Sequence, residues 1–320
     1  MNALDTAAPP SLEIEFDAPI PTWFGIGGKA DRLARPRTPE QLAECLRLDP
    51  NLKVLGDGAN LLVDDDGISE LVVILGGPRF TGWTIDGTSL RAGAGANLPK
   101  LINETVRKGL AGLESLGGIP ASVGGAVIMN AGGAFGQIAD AVARVHALDR
   151  QGRPVTLERA QIAFDYRKSG LSNLVITEVE FTLTQADPVA LRERHLEVMA
   201  YKKKTQPMAD KSAGCVFKNP TLTEELTLEK LDPAAGQATP FEVHRAGSRV
   251  SAGMLIDRAG LKGLRVGGAS VSPRHGNFIV TDAGARARDV IELMDRVALG
   301  VFARFGVTLQ PEVVIWRRTR

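Results

Sequence analysis

Apolar positions along the chain repeat with two different periods, and the points where one gives way to the other mark out the elements. Thr38-Pro39-Glu40-Gln41 is a capping box with proline at the first helical position, which predicts a helix to about Leu48. Short apolar runs predict strands at 52–55 and 70–75. Asp86-Gly87, set between two alternating stretches, predicts a hairpin, and Gln151-Gly152 predicts another. Asn97 is placed to cap a helix that ends near Lys108, where Gly109 stops it. Residues 173–183 alternate as a strand, and Asp187-Pro188 opens a helix through about Lys203. The strongest stripe is Val290, Leu293, Met294, Val297, Ala298, Val301, Phe302 and Phe305, which predicts a helix from Ala287 to Phe305 packed on a sheet. LQPEVVIW (309–316) closes the chain as a strand, with Pro311 at its start or edge. The polar stretch 221–249, holding Pro233, Gly236, Pro240 and Gly247, is expected to be an inserted surface loop, and Lys202–Lys204 a solvated helix end. This order favours an α+β fold over one doubly wound sheet.

Composition narrows the picture without deciding it. A chain of 320 residues exceeds what one core usually holds, so two or three domains are expected. Thirty-eight basic residues against thirty-seven acidic ones argue against a nucleic-acid or membrane-surface partner. No apolar run is long enough to cross a bilayer, and MNALDTAAPPSLEIEF does not read as a signal peptide. Two cysteines suit a reducing compartment, and four scattered histidines give no expectation of a metal.

Glycine placement then points to a ligand. LESLGGIPASVGGAVIMNAGGAFG (113–136) carries three glycine pairs in an apolar, nearly uncharged run, and LKVLGDGANLLV (52–63) carries a Gly-x-Gly turn. Glycine permits positive φ and close backbone approach, and consecutive free N–H groups cradle anions. Neither segment is a dinucleotide fingerprint or a Walker loop, so the expectation is a phosphate-bearing cofactor held by a less common pair of loops. Three further segments offer chemistry. FDYRKSG (164–170) places Tyr166 and Arg167 before a strand, where the arginine is either exposed or a fork for carboxylate or phosphate. KSAGCVFKNP (211–220) holds Cys215 in a tight turn, as a small buried hydrophobe or a working thiol. Glu312 enters the terminal strand as an edge residue or a functional acid.

TWFGIGGKAD, VLGDGANLLVDDDG, GLESLGGIPASVGGAVIMNAGG, FDYRKSG, AGCVFKNP, GLKGLRVGGA and LQPEVVIW together resemble the UDP-N-acetylenolpyruvoylglucosamine reductase family, over about Thr22 to Trp316. The resemblance implies a cytoplasmic, monomeric flavoenzyme of peptidoglycan precursor synthesis. It would use non-covalent FAD and NADPH to reduce UDP-N-acetylglucosamine enolpyruvate to UDP-N-acetylmuramate. The implied fold is the FAD-binding fold of the vanillyl-alcohol-oxidase type. Its two subdomains would be 1–76, completed by 306–320, and 77–200; a smaller α+β substrate domain would be 201–305. Passage from YRKSG straight to the next strand matches the shorter, type II form. On this resemblance Arg167 and Glu312 are catalytic, and Cys215 takes the place of the family's serine proton donor. Leu55, Gly56, Gly58, Ala59, Asn60 and Leu61 form one flavin loop. Gly118, Ile119, Pro120, Ser122, Val123, Gly124, Gly125, Asn130 and Gly132 form the other. Tyr166, Lys218, Asn219 and Lys262 are placed at the substrate. The alternative is another FAD-dependent oxidoreductase of the same fold acting on an alcohol or hydroxy acid.

Overall fold

The structure is a computed structural model that describes residues 11–229 and 241–319; Pro233, Gly236, Pro240 and the first ten residues lie outside this range. Seven α-helices are formed within it: α1 Pro39–Leu48, α2 Gly77–Thr81, α3 Leu98–Arg107, α4 Val123–Ile128, α5 Pro188–Thr205, α6 Ala252–Arg258 and α7 Ala287–Phe305. The expected caps are present. Thr38 accepts from Gln41 N–H at the start of α1, and Asn97 accepts from Lys100 N–H at the start of α3. Gln41 Oε1 reaches past the cap to accept from Arg37 N–H at 2.7 Å.

Near the N-terminus, Ile14–Pro19 pairs antiparallel with Lys29–Ala34, which runs parallel to Val72–Val73 and on to Lys53–Val54. The expected strands 52–55 and 70–75 thus form ladders only at their centres. A five-stranded antiparallel sheet follows, in the order Pro154–Glu158, Val142–Leu148, Val175–Thr182, Ser89–Gly93, Trp83–Asp86. Both predicted hairpin turns are found in it, with Gly87 and Gly152 at positive φ. Leu98, Leu101, Ile102, Thr105 and Val106 of α3 are buried with Leu90, Val145, Val179 and Phe181. Each large aliphatic side chain so buried stabilises by about 1.5–3 kcal/mol.

A second core lies between α6, α7 and the sheet Arg265–Val266, Ala269–Val271, Ile279–Thr281. Val290, Leu293, Met294, Val297 and Val301 fill it as the stripe predicts, with Ala298 and Phe305 packed at its margin, but Phe302 is exposed. The terminal strand is shorter than expected: Val314–Trp316 pairs parallel with Leu61–Val63, while 309–313 runs extended without a ladder of its own. The segment 221–249 is not simply a loop, because Leu226–Glu229 and Phe241–His244 pair as a hairpin. Among the described residues no helix is long and apolar enough to cross a membrane.

Candidate active site

A four-residue turn, 165–168, carries the first functional side chain. Asp165 N–H donates to Lys168 C=O at 2.8 Å and Lys168 N–H donates back to Asp165 C=O at 3.1 Å. Inside the turn Arg167 has φ +56°, a left-handed conformation that costs a residue with a side chain on the order of 1 kcal/mol. The arginine Nε donates to Glu312 Oε1 at 2.5 Å, and both side chains are largely buried. Tyr166 Oη accepts from Asn219 N–H at 3.2 Å, which brings two of the expected substrate residues together.

Glu312 is placed by main chain. Its N–H donates to Val216 C=O at 2.8 Å, Lys218 N–H donates to Gln310 C=O at 2.8 Å, and Phe217 bridges Pro311. The extended 309–313 segment therefore runs against the Cys215 turn. Asn277 fixes that turn from the other side: Phe217 N–H donates to Asn277 Oδ1 at 2.9 Å, and Asn277 Nδ2 donates to Phe217 C=O at 2.8 Å. Asn277 carries no motif that would single it out in the sequence. Asn60 of the first glycine loop closes the circle, with Nδ2 donating to Glu312 C=O at 3.2 Å and Val314 N–H donating to Asn60 C=O at 3.1 Å.

Electrostatics in this cluster are dominated by desolvation. Burial pushes the Cys215 thiol up to about 12, reinforced by the Glu312 carboxylate and opposed by Arg167, Asn277 and Lys202. The thiol is therefore protonated at neutral pH, but it is a weaker acid than a free cysteine. Burial also raises Glu312, against the pull of the Arg167 guanidinium and of Lys218. Lys202 corrects the expectation of a solvated helix end. It is half-buried at the end of α5, its stem lies over Gly118, and burial followed by the Arg167 charge lowers it to about 8. Neither Lys202 nor Lys218 has a carboxylate within salt-bridge reach among the described residues. Lys262 is different, since its amine donates to Asp257 Oδ2 at 2.6 Å.

The two glycine loops lie edge to edge. A Cβ on Gly56 would come 2.5 Å from Ser122 Oγ, and one on Gly58, at φ +65°, would come 2.3 Å from Pro21 C=O. Ser122 caps α4, accepting from Gly125 N–H at 3.3 Å, while Gly124 N–H donates to Ala94 C=O at 2.7 Å. The main-chain N–H groups of 56–60 have no acceptor among the described residues, a run of donors suited to a phosphate. These residues fit a bound dinucleotide such as FAD. Leu55, Leu61 and Val123 are core side chains that contribute to the loops only through backbone. Asn130 is buried, and its side chain holds the Arg167 turn by donating to Asp165 C=O at 2.9 Å. Ile119 and Pro120 are half-buried beside Gly118, and Gly132 pairs with Gln137.

Known proteins are similar to this chain in sequence and fold. The C-terminal domain model of UDP-N-acetylenolpyruvoylglucosamine reductase matches residues 206–316, and an FAD binding domain model matches residues 30–158. A UDP-N-acetylenolpyruvoylglucosamine reductase of Moorella thermoacetica is 39% identical over 92% of this chain and 90% of its own. This chain belongs to the UDP-N-acetylenolpyruvoylglucosamine reductase family. It is an FAD-dependent oxidoreductase, as the resemblance implies. The crystal structure of the reductase from Thermus caldophilus superposes with a TM-score of 0.76 at 39% identity, covering 96% of this chain and 99% of that one.

One further cluster belongs to the fold. His146 and, on the neighbouring strand, Glu178 and Glu180 place their ligand atoms within 4.8 Å of one another. Arg91 and Arg144 bind these carboxylates, and His146 Nε2 lies 2.9 Å from Glu180, so the group is a salt-bridge network on the exposed face of the five-stranded sheet.

Proposed function

We propose that this reductase acts with NADPH on UDP-N-acetylglucosamine enolpyruvate to give UDP-N-acetylmuramate, a step in peptidoglycan precursor synthesis. The observation that carries this reading is the meeting of Arg167, Glu312 and Cys215 next to a glycine loop to which Asn60 ties them. When bound, FAD supplies a hydride that it takes from NADPH; the loops 55–61 and 118–125 are the residues to hold it. Arg167 offers guanidinium N–H donors to the enolpyruvyl carboxylate, and the Arg167–Glu312 pair orients that group. Hydride arrives at the vinyl carbon, which becomes a methyl, and negative charge collects on the carbon bearing the carboxylate. Cys215 gives its proton to that carbon and is left as a thiolate facing Lys202 and Arg167. Two amines without carboxylate partners, Lys202 and Lys218, complement the charge of a sugar-nucleotide diphosphate. Asn219 follows Lys218 in the chain and its N–H donates to Tyr166 Oη, whereas the Lys262 amine is engaged by Asp257.

The division into 1–76 with 306–320, 77–200 and 201–305 belongs to the same proposal, as does a cytoplasmic monomer with neither nucleic acid nor membrane as partner. Isotope placement tests the chemistry. In D2O one deuterium is expected on the carbon α to the carboxylate, and deuteride from labelled NADPH is expected in the methyl group. The reverse placement, or no product, refutes it.

A further inference from the structure

The hairpin segment 221–249 is fastened to the active site at its root. Thr221 and Arg249 bridge, Leu222 N–H donates to Ser248 C=O at 2.9 Å, and Val250 N–H donates to Pro220 C=O at 3.0 Å. The two legs are thus zipped together just where Arg249 emerges. Its guanidinium carbon lies 3.9 Å from the centroid of the Tyr166 ring, closer than that of Arg167 at 5.1 Å. No carboxylate pairs with Arg249 among the described residues, so the ring is its main neighbour. Tyr166 is also held at its hydroxyl by Asn219 N–H, and Asn219 Oδ1 accepts from Ala252 N–H at 3.0 Å at the start of α6.

Tyr166 is the chain neighbour of Arg167, whose left-handed backbone is not one that arginine adopts unaided. Contacts from outside the turn must therefore hold it. Asn130 holds Asp165 on one side of the turn, Glu312 holds the guanidinium, and the ring of Tyr166 is held from the hairpin root. We propose that Arg249 is a positioning residue: stacked on Tyr166, it links the inserted hairpin to the turn that carries Arg167 and so sets the alignment of Arg167 with Glu312. The inference rests on Arg167 being the group that orients the substrate carboxylate.

Arg249→Met keeps the stem and removes the cation; Arg249→Lys keeps a cation. Both are exposed substitutions, so FAD content and reduction by NADPH are expected to match wild type. Reoxidation of the reduced holoenzyme by UDP-N-acetylglucosamine enolpyruvate is expected to slow by about 5-fold to about 100-fold in Arg249→Met, the range from losing one exposed cation–π contact to a misaligned catalytic group. Arg249→Lys should recover most of that rate. The chain has two tyrosines, so 13Cζ-tyrosine NMR of the holoenzyme resolves Tyr166 from Tyr201. Burial raises the Tyr166 phenol and the Arg249 cation opposes that rise, so the phenol titration should move further upward in Arg249→Met. In a Tyr166→Leu background, Arg249→Met should cost nothing more. An undiminished reoxidation rate in Arg249→Met, an unmoved Tyr166 signal, or a full additional loss in the Tyr166→Leu background overturns the proposal. If wild type fails to reoxidise with this substrate, the functional reading fails instead, while the NMR titration still tests the contact.

Discussion

Replacing Lys202 with methionine should move stability and activity in opposite directions. The amine is lowered from 10.5 to about 8, chiefly by burial. At about 1.4 kcal/mol for each tenfold change, this disfavours the folded, charged form by about 3 kcal/mol. Folded and unfolded chains are both protonated below pH 8, so the penalty is complete there. It shrinks between pH 8 and about 10.5 and vanishes above, so wild type gains stability from this group as pH rises through that window. Lys202→Met keeps the stem over Gly118 and removes the charge. Its melting temperature at pH 7 should rise by several degrees, and the difference from wild type should close as pH approaches 10.5. The substrate should bind less well, because a charge-assisted hydrogen bond to an anion is worth about 1.5–3 kcal/mol, or about 10- to 100-fold in KM. In wild type that KM should climb above pH 8 as the amine loses its proton. Scanning calorimetry and KM measurements across pH 6 to 10 read both quantities. A variant that is no more stable at pH 7 and binds substrate as wild type does would show that Lys202 is solvated and idle.

Two other substitutions separate the roles around it. Cys215→Ala should keep FAD and its reduction by NADPH yet stall when substrate is added, while Cys215→Ser should turn over; rapid-mixing absorbance reads both half-reactions, and undiminished turnover in the alanine variant would make Cys215 a packing residue. Gly56→Ala puts a methyl 2.5 Å from Ser122 Oγ, so purified protein should lose most of its flavin, with partial recovery in Gly56→Ala/Ser122→Ala; full flavin content in the single variant contradicts the loop contact.

Helices with strong apolar stripes and side-chain caps were legible from residues alone, because α3 and α7 bury one face against a sheet and that face repeats in the sequence. Phe302 departs from the α7 pattern because it sits at the edge of the stripe, beside buried Val301 and a turn before partly buried Phe305, and periodicity does not state how wide the covered face is. Arg167, Cys215 and Glu312 were reached through their motifs; no spacing in the chain relates positions 167 and 312. What joins them is main-chain pairing of 309–313 with the Cys215 turn, visible only after folding. Three consecutive lysines look alike in sequence, and only helix phase and the missing side chain of Gly118 decide that Lys202 is the one that turns inward. Asn277 and Arg249 left no sequence signal, as a buried amide bridging backbone and an arginine over a ring have no fixed pattern. The paired strands Leu226–Glu229 and Phe241–His244 lie in a stretch whose polar composition favours a loop.

The most direct test is an anaerobic redox cycle on the purified holoenzyme, followed by absorbance. Stoichiometric NADPH should bleach the flavin bands, and adding UDP-N-acetylglucosamine enolpyruvate should restore them with one UDP-N-acetylmuramate formed per flavin. A bleached enzyme that stays bleached with this substrate, and recovers only when oxygen is admitted, would contradict the assignment.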